Sequence, residues 1–201
     1  MSTVPLQPTD LYGGAMRISL PEGFIDASTL RQIPDHQEVF VSSNASTSQD
    51  DSIIIELVER LEKESDKQAV LAHLDEILEI NSPGYKFGAD LDNREDSVIQ
   101  IPSPTALQSS SAYLIVDSRQ AQKWATTSSS KPMHLSLALA VIRLTSPTST
   151  DILVTLNSGV DTQEHSLSSE EQAALAETLK RLATSIVASL EVRDWGLFGE
   201  E

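Results

Sequence analysis

Short runs of alternating or continuous apolar residues predict most of the strands of this protein. The pair Gly13-Gly14 lies between two such runs, a pattern typical of a tight hairpin. The run His134–Thr145 is apolar enough for the middle of a sheet, and Asp151–Asn157 follows it after a short loop. We expect these two runs to pair as antiparallel neighbours. The predicted strands cover residues 17–20, 38–41, 97–101, 112–117, 134–145 and 151–157, and residues 26–35 are predicted to form a turn-rich connection.

Residues 51–63 have the spacing of an amphipathic helix. Apolar residues recur there at positions i, i+3, i+4 and i+7, namely Ile54, Leu57, Val58 and Leu61. Charged residues occupy the opposite side of the same helical wheel, namely Glu56, Glu59, Arg60 and Lys63. This period indicates a surface helix with one buried face. We therefore predict the first long helix of the chain over these residues.

Two capping boxes predict the other helices. Ser65 and Gln68 have the spacing that begins a helix, which should end before the Pro-Gly pair at 83–84. Ser168 and Glu171 have the same spacing and begin a C-terminal helix with a leucine-rich face. Helices packed around a mostly antiparallel sheet define the α+β class, which we predict for this chain.

Length and loops indicate one structural unit. The chain has 201 residues, of which 39 % are apolar, and this is enough for one core. Four stretches rich in Ser, Thr and Pro are predicted to be flexible surface loops, at residues 42–49, 102–111, 126–132 and 145–150. None of them is long enough to separate two cores. We therefore expect a single domain over residues 1–201.

Charge narrows the range of partners. Fourteen Lys and Arg against thirty Asp and Glu give a net charge of −16. Nucleic acids and anionic membranes are bound by clustered basic residues, so we expect neither as a partner, whereas a basic protein surface is complementary. No run approaches the roughly 18 apolar residues of a membrane helix. The N-terminus has no secretory signal pattern and the chain has no cysteine, which together favour a reducing intracellular setting.

The acidic residues are concentrated between Asp50 and Glu79. This segment has ten carboxylates and three basic side chains, a balance of −7. On residue chemistry alone, the simplest interpretation is a solvated helix face supported by pairs such as Glu56–Arg60. A general acidic adaptor for basic protein partners is an alternative interpretation.

Motifs of catalysis are scarce. The sequence has no nucleophile elbow, no phosphate-binding glycine loop and no zinc-protease motif. His73, Asp75 and Glu76 form a small cluster, and a metal-dependent enzyme that uses them is a further alternative. We favour a structural role for His73, which should pack partly buried beside the apolar face of its helix. We predict no catalytic residue, no metal site and no cofactor.

Several segments, taken in order, resemble one known family. The first is Leu11-Tyr-Gly-Gly-Ala-Met16, and the longest runs from Leu20 to Asp35 as Leu-Pro-Glu-Gly-Phe-Ile-Asp-Ala-Ser-Thr-Leu-Arg-Gln-Ile-Pro-Asp. Later segments that match are residues 37–40, 51–59, 72–75 and 140–144. Together they are similar to the Mog family of Ran-binding proteins, also called Ran guanine nucleotide release factors.

The resemblance implies a PsbP-like fold, in which helices flank both faces of a curved antiparallel sheet. It also implies a non-catalytic partner of the small GTPase Ran that promotes nucleotide release and supports nuclear protein import. A folded chain of 21.9 kDa can diffuse through nuclear pores, so we expect nuclear and cytoplasmic pools, and we expect a monomer. In this family an acidic pair on the first long helix is important for Ran binding, and it corresponds to Glu56 and Glu59. The resemblance adds as further Ran-binding candidates an exposed block around Asp26, Arg31, Pro34, Asp35 and Glu38, which is expected to flank the acidic pair, and also Lys123.

Overall fold

The computed structural model of the protein describes residues 5–43, 49–81, 87, 92–107, 109–123, 131–162 and 166–199. Within these residues the chain forms ten strands and two α-helices. The strands are β1 (Leu6–Leu11), β2 (Met16–Pro21), β3 (Phe24–Asp26), β4 (Gln37–Ser42), β5 (Gln49–Glu59), β6 (Ile99–Ile101), β7 (Ser110–Lys123), β8 (Lys131–Leu144), β9 (Thr150–Asp161) and β10 (Glu191–Val192). The helices are α1 (Asp66–Asn81) and α2 (Ser169–Ala188). Short 3-10 turns occupy Tyr12–Gly14, Ala27–Thr29, Arg94–Ser97 and Trp195–Phe198.

Seven of the strands form one antiparallel sheet in the order β3-β4-β5-β9-β8-β7-β6. The predicted pairing of the runs 134–145 and 151–157 is confirmed, with Val141 of β8 opposite Leu153 of β9. A second sheet has the order β1-β2-β10. Its β1–β2 hairpin turns at Gly13 and Gly14, whose φ angles of 66° and 96° lie in the region that favours glycine. The hairpin expected from the glycine pair is therefore confirmed.

The two helices lie on opposite faces of the large sheet. α2 and the β1–β2 hairpin pack against one face, called here the α2 face, with strand residues such as Ile55 and Val154 in the larger core. α1 packs against the other face, the α1 face, with a smaller core that includes Leu74 and Leu139. None of the described helices is long and apolar enough to cross a membrane. The predicted α+β class, with helices on both faces of the sheet, is confirmed.

Both predicted helix starts are found, with different capping contacts. At α2 the capping box is complete, because Ser168 and Glu171 exchange side-chain and backbone hydrogen bonds. At α1 the Ser65 hydroxyl accepts the N–H of Gln68 at 3.1 Å, but the Gln68 side chain donates to Glu95 instead of returning to the cap. The two hydrogen bonds from Gln68 and Ser65 lower the pKa of the Glu95 carboxyl. The start of α1 is therefore also held by the side chain of Glu95, which belongs to a distant 3-10 turn.

The helix predicted over residues 51–63 is wrong, because these residues form most of β5. The strand pairs along its whole length with β9 on one side and, over residues 52–56, with β4 on the other. Ile55 faces the α2-face core, while Ile54 and Val58 lie on the α1 face. Apolar residues on both faces remove the period-two alternation that would mark a strand, and their remaining spacing coincides with that of a helix. Long-range pairing decides the conformation here.

Two of the segments rich in Ser, Thr and Pro contain buried residues where the structure describes them. Pro104 and Leu107 are buried, and Leu107 joins the α2-face core, so residues 102–107 are not a purely polar surface loop. Thr148, in the 145–150 segment, is 9 % exposed. The ends of the predicted loops also belong to strands, at Ser42, Gln49, residues 110–111, 131–132 and Thr150. Residues 44–48 and 124–130 lie outside the described residues.

Candidate functional site

The last residue of β3 and the connection that leads from it to β4 contain four of the predicted binding residues. Arg31, Pro34 and Asp35 are exposed there. Asp26 is half-buried and caps the 3-10 turn, since its carboxylate accepts the Ser28 N–H at 2.7 Å. The expectation of one exposed block is therefore correct for the middle of the connection and wrong for Asp26, whose carboxylate has a local structural partner.

Glu38 connects β4 to the β1–β2 hairpin. Its carboxylate accepts the backbone N–H of Tyr12 at 2.6 Å, and the Tyr12 hydroxyl donates to the carbonyl oxygens of His36 and Ile55. Burial, followed by the nearby charges of Glu38 and Glu56, raises the pKa of the Tyr12 hydroxyl. Glu38 is half-buried, so the prediction that it is exposed is wrong. The sequence could not reveal this burial, because Glu38 is bound by Tyr12, which lies 26 positions away.

Glu56 lies on β5 and faces the side of the sheet that α1 covers. It is opposite Gln37 of β4 and Leu153 of β9, and Leu153 belongs to the α1-face core. Gln37 Nε2 donates to the Glu56 carboxylate at 2.9 Å, and Nε2 of His36 lies 3.3 Å from the same oxygen. The Glu56 side chain is 21 % exposed. Its carboxylate is thus held in one place by the neighbouring strand while it remains accessible to solvent.

Glu59 is the last residue of β5 and is exposed. The prediction that Glu56 and Glu59 are neighbours on one helix face is wrong, because residues three apart on a strand point to opposite faces. Both residues nevertheless line one groove, with Glu59 at the last position of the strand. The acidic pair thus lines one groove from a strand, whereas a helix was predicted to bring the two residues together.

The groove lies between α1 and the part of the α1 face that this helix leaves uncovered. Its volume is about 730 Å³. The wall on the sheet side comes from β4, β5, β9 and β8, and the wall on the other side comes from one stripe of α1, namely His73, Glu76, Ile77 and Ile80. Ile54 of β5 and Leu137 of β8 are among the apolar side chains of the sheet-side wall. The lining therefore combines apolar side chains with carboxylates, an arrangement typical of binding surfaces.

Lys123 is not brought to this groove by the sheet pairing that the structure describes. It is the last residue of β7, opposite Lys131 of β8, and β7 is three places away from β5 in the sheet order. It also belongs to the end of the sheet at which β5 begins, whereas Glu59 ends β5. The side chain of Lys123 lies outside the described part of the chain.

A largely buried ion-pair network of Arg60, Asp66, His73, Arg143 and Asp151 holds α1 to the sheet. Arg143 is 1 % exposed and donates from Nε to Asp151 at 3.0 Å and from its terminal nitrogens to Asp66 and to the Leu61 carbonyl. Nε2 of His73 lies 2.9 Å from the other Asp151 oxygen. Burial alone would raise the pKa of Asp151, but the bonds from His73, the Leu61 N–H and Arg143 outweigh burial and lower it.

Two residues of the alternative metal site, His73 and Asp75, have other partners. His73 is 5 % exposed and bonded to Asp151, which confirms the prediction that it packs beside the apolar face of its helix. Asp75 receives two hydrogen bonds from the guanidinium of Arg94. Among the described residues, no group of three His, Cys, Asp or Glu side chains is placed to hold a metal ion. His73, Asp75 and Glu76 are thus not brought together as a metal site.

Sequence reasoning missed the residues that α1 adds to the groove. Ile80 is 74 % exposed in the last turn of the helix. A signal for it existed, because Ile80 is an apolar residue outside the buried stripe of its helix, which contains Val70, Leu74 and Leu78. No signal could have found Gln37, since only the register of β4 and β5 places it beside Glu56.

Comparison with known proteins identifies the family. The model of the family described as "Mog1: Ran-interacting Mog1 protein" matches residues 9–159. This chain belongs to the Ran-interacting Mog1 family. The resemblance noted in the sequence is therefore confirmed, although the acidic pair is on a strand and not on a helix.

Relatives in the Mog1 family match along nearly the whole chain. "Nuclear import protein MOG1" of Saccharomyces cerevisiae is 32 % identical over 197 residues, covering 94 % of this chain and 83 % of the relative. "Ran guanine nucleotide release factor" of Danio rerio is 32 % identical over 193 residues, covering 94 % of this chain and 98 % of the relative. The crystal structure of the Saccharomyces cerevisiae Ran-binding protein Mog1p superposes with a TM-score of 0.66 at 25 % identity, covering 98 % of this chain and all of that one. The expected PsbP-like fold is thereby confirmed.

Proposed function

We propose that this protein binds the small GTPase Ran and promotes release of its guanine nucleotide, in support of nuclear protein import. The match of the Ran-interacting Mog1 family model to residues 9–159 is the observation that carries the proposal. The names of the relatives, a nuclear import protein and a Ran guanine nucleotide release factor, support it.

The geometry of the groove supports an electrostatic contact with Ran. Glu56 and Glu59 line the groove, and the Gln37 hydrogen bond holds the Glu56 carboxylate in a defined position. A fixed carboxylate accepts charge-assisted hydrogen bonds from lysine or arginine on a partner. The net charge of −16 adds a long-range attraction that increases the rate of encounter with a basic surface. The exposed residues Arg31, Pro34 and Asp35 are proposed to flank this contact.

Nucleotide release requires binding and no covalent chemistry from this protein. A protein that prefers nucleotide-free Ran must weaken nucleotide binding by the same factor, because coupling between two binding sites is reciprocal. We propose a non-catalytic monomer with nuclear and cytoplasmic pools, reinforced in the nucleus by binding to Ran. A general acidic adaptor is the second candidate, supported by the strongly negative charge.

The decisive experiment measures loss of labelled nucleotide from Ran with and without this protein. We expect faster release with the wild-type protein and no consumption of free nucleotide. The double variant Glu56→Lys/Glu59→Lys should bind Ran at least about tenfold more weakly, a loss of about 1.4 kcal/mol. The double variant also loses the hydrogen bond between Gln37 and Glu56, which should lower its free energy of unfolding by only about 1 kcal/mol.

The matched control is Glu170→Lys/Glu177→Lys on α2. Both residues are exposed on the helix that covers the other face of the sheet, and the change in net charge is the same. Near-normal Ran binding by this control, with weak binding by the Glu56 and Glu59 variant, separates a local contact from a general charge effect. Equal weakening by both variants would favour the acidic adaptor. Release at the same rate with and without protein would refute the release function.

A further inference from the structure

The groove extends well beyond the acidic pair on β5, to a wall made by α1. Glu76, Ile77 and Ile80 form part of that wall, and the strand residues Ile54 and Glu56 line the same groove. Glu76 is exposed and Ile77 is half-buried. None of these three helix residues belongs to the binding residues considered so far, although they share one cavity with them.

The apolar part of the groove is incompletely covered by the protein itself. Ile80 is 74 % exposed, and Ile54 is half-buried although it is in the middle of a central strand. Exposed apolar side chains that border a concave surface mark sites at which another molecule can bury them. A cavity of about 730 Å³ has room for several side chains.

The charge of the groove lining indicates the charge of the molecule that can bind there. Glu56, Glu59 and Glu76 contribute carboxylates. The basic side chain Arg119 also lines the groove, but it forms an ion pair with Asp117, and His73 is bonded to Asp151. The lining therefore has a net negative charge, which attracts cationic side chains and repels acidic ones.

We infer that the groove between α1 and β5 receives a segment of Ran in which an apolar side chain is flanked by lysine or arginine. The apolar side chain packs against Ile54, Ile77 and Ile80, while the cationic side chains pair with Glu56 and Glu76. This inference rests on the proposed binding of Ran and adds α1 to the interface. It assigns Glu76 and Ile80 as binding residues, since both are exposed and neither has a role in the core of the protein.

The test compares Ran binding by variants of the α1 wall. Glu76→Lys should bind Ran at least about tenfold more weakly, because attraction is replaced by repulsion. Ile80→Ser should bind at least about fivefold more weakly, as expected for an anchoring side chain. Ile80→Met, which keeps an apolar side chain, and Glu177→Lys on α2, which matches the charge change, should stay within about twofold of wild type. All four variants should melt within a few degrees of the wild type, because the substituted side chains are exposed.

Hydrogen exchange supplies a second measurement that does not depend on substitution. Added Ran should slow the exchange of backbone amides in the last turn of α1 and in the β3–β4 connection together. Protection confined to the β3–β4 connection would overturn the inference. The inference would also be overturned if Glu76→Lys and Ile80→Ser both bound Ran with wild-type affinity. In that case weak Ran binding by Glu56→Lys/Glu59→Lys would still support the proposed function. Failure of the wild-type protein to bind Ran would overturn both.

Discussion

The two faces of the seven-stranded sheet differ in how completely they are covered. On the α2 face, α2 and the β1–β2 hairpin bury a continuous apolar core, which includes Ile55, Val154 and Ile186. On the α1 face, one helix covers a smaller core, a buried ion-pair network lies at one end, and an acidic groove remains open beside it. One face thus supplies most of the apolar burial, while the other combines packing with a surface that a partner can reach.

The charges on the α1 face are themselves of two kinds. Asp151 is fully buried and has His73, Arg143 and a backbone N–H as partners. Glu56 and Glu76 are accessible, and only Glu56 has a hydrogen bond from a neighbouring strand among the contacts described. Buried charges are costly without partners, whereas exposed ones affect stability little. Substitutions in the two sets should therefore separate stability from binding.

The largest effect is expected at Arg143. Arg143→Met should lower the free energy of unfolding by roughly 3–5 kcal/mol, because it leaves the buried Asp151 carboxylate without its main cation. Urea denaturation measures this loss directly. Arg143→Lys keeps the charge but cannot supply the three separate hydrogen bonds, so we expect a smaller loss. Stability equal to wild type in Arg143→Met would show that the network is not what holds α1 to the sheet.

A smaller effect on stability is expected at two adjacent residues of β5, Ile54 and Ile55, whose substitutions should differ in cost. Ile55→Ala should destabilise the protein by about 2–5 kcal/mol, because Ile55 is fully buried in the larger core. Ile54→Ala should cost less than about 2 kcal/mol, because Ile54 is only half-buried beside the groove. Thermal unfolding of the two variants in parallel checks the comparison. Equal losses would mean that the α1 face is as well packed as the α2 face.

The smallest effect concerns pH and again depends on Asp151. Its pKa is lowered in the folded protein from the ordinary value of 3.8, so its contribution to stability is present above about pH 3.8 and is lost as the pH falls through the folded pKa. Burial acts against the lowering, which keeps the effect modest. The stability difference between wild type and Asp151→Asn should therefore shrink as the pH falls from 3.8 towards 2. A difference that stays constant over this range would contradict the lowered pKa.

Much of the fold could be predicted from local patterns. The Ser168–Glu171 capping box and the apolar run of β8 each identify their element, because the signal lies within a few neighbouring residues. The strand β5 could not be found in this way. Its apolar residues serve two cores at once, so their order along the chain reflects the packing on both faces and not a single period.

Some of the residues of the candidate site could be predicted from the sequence, but their arrangement could not. The resemblance to the Mog family led to Glu56 and Glu59, and both line the groove. Their expected arrangement on a helix was wrong, and Asp26 and Glu38 proved to have structural partners. These outcomes depend on contacts with residues elsewhere in the chain, such as the bond between Glu38 and Tyr12, which no local pattern reveals.

The sequence by itself determined the acidity of the surface, the helix starts, the strands β8 and β9 and the membership of a family, because each depends on residue identity or on short-range spacing. Only the tertiary structure decided that β5 is a strand, that Arg143 meets Asp66 and His73 meets Asp151 from 77 and 78 positions away, and that α1 and β5 enclose a groove. The physical reason is that strand pairing and the burial of charge are settled between distant segments. The chain must close long loops before any of these contacts can form.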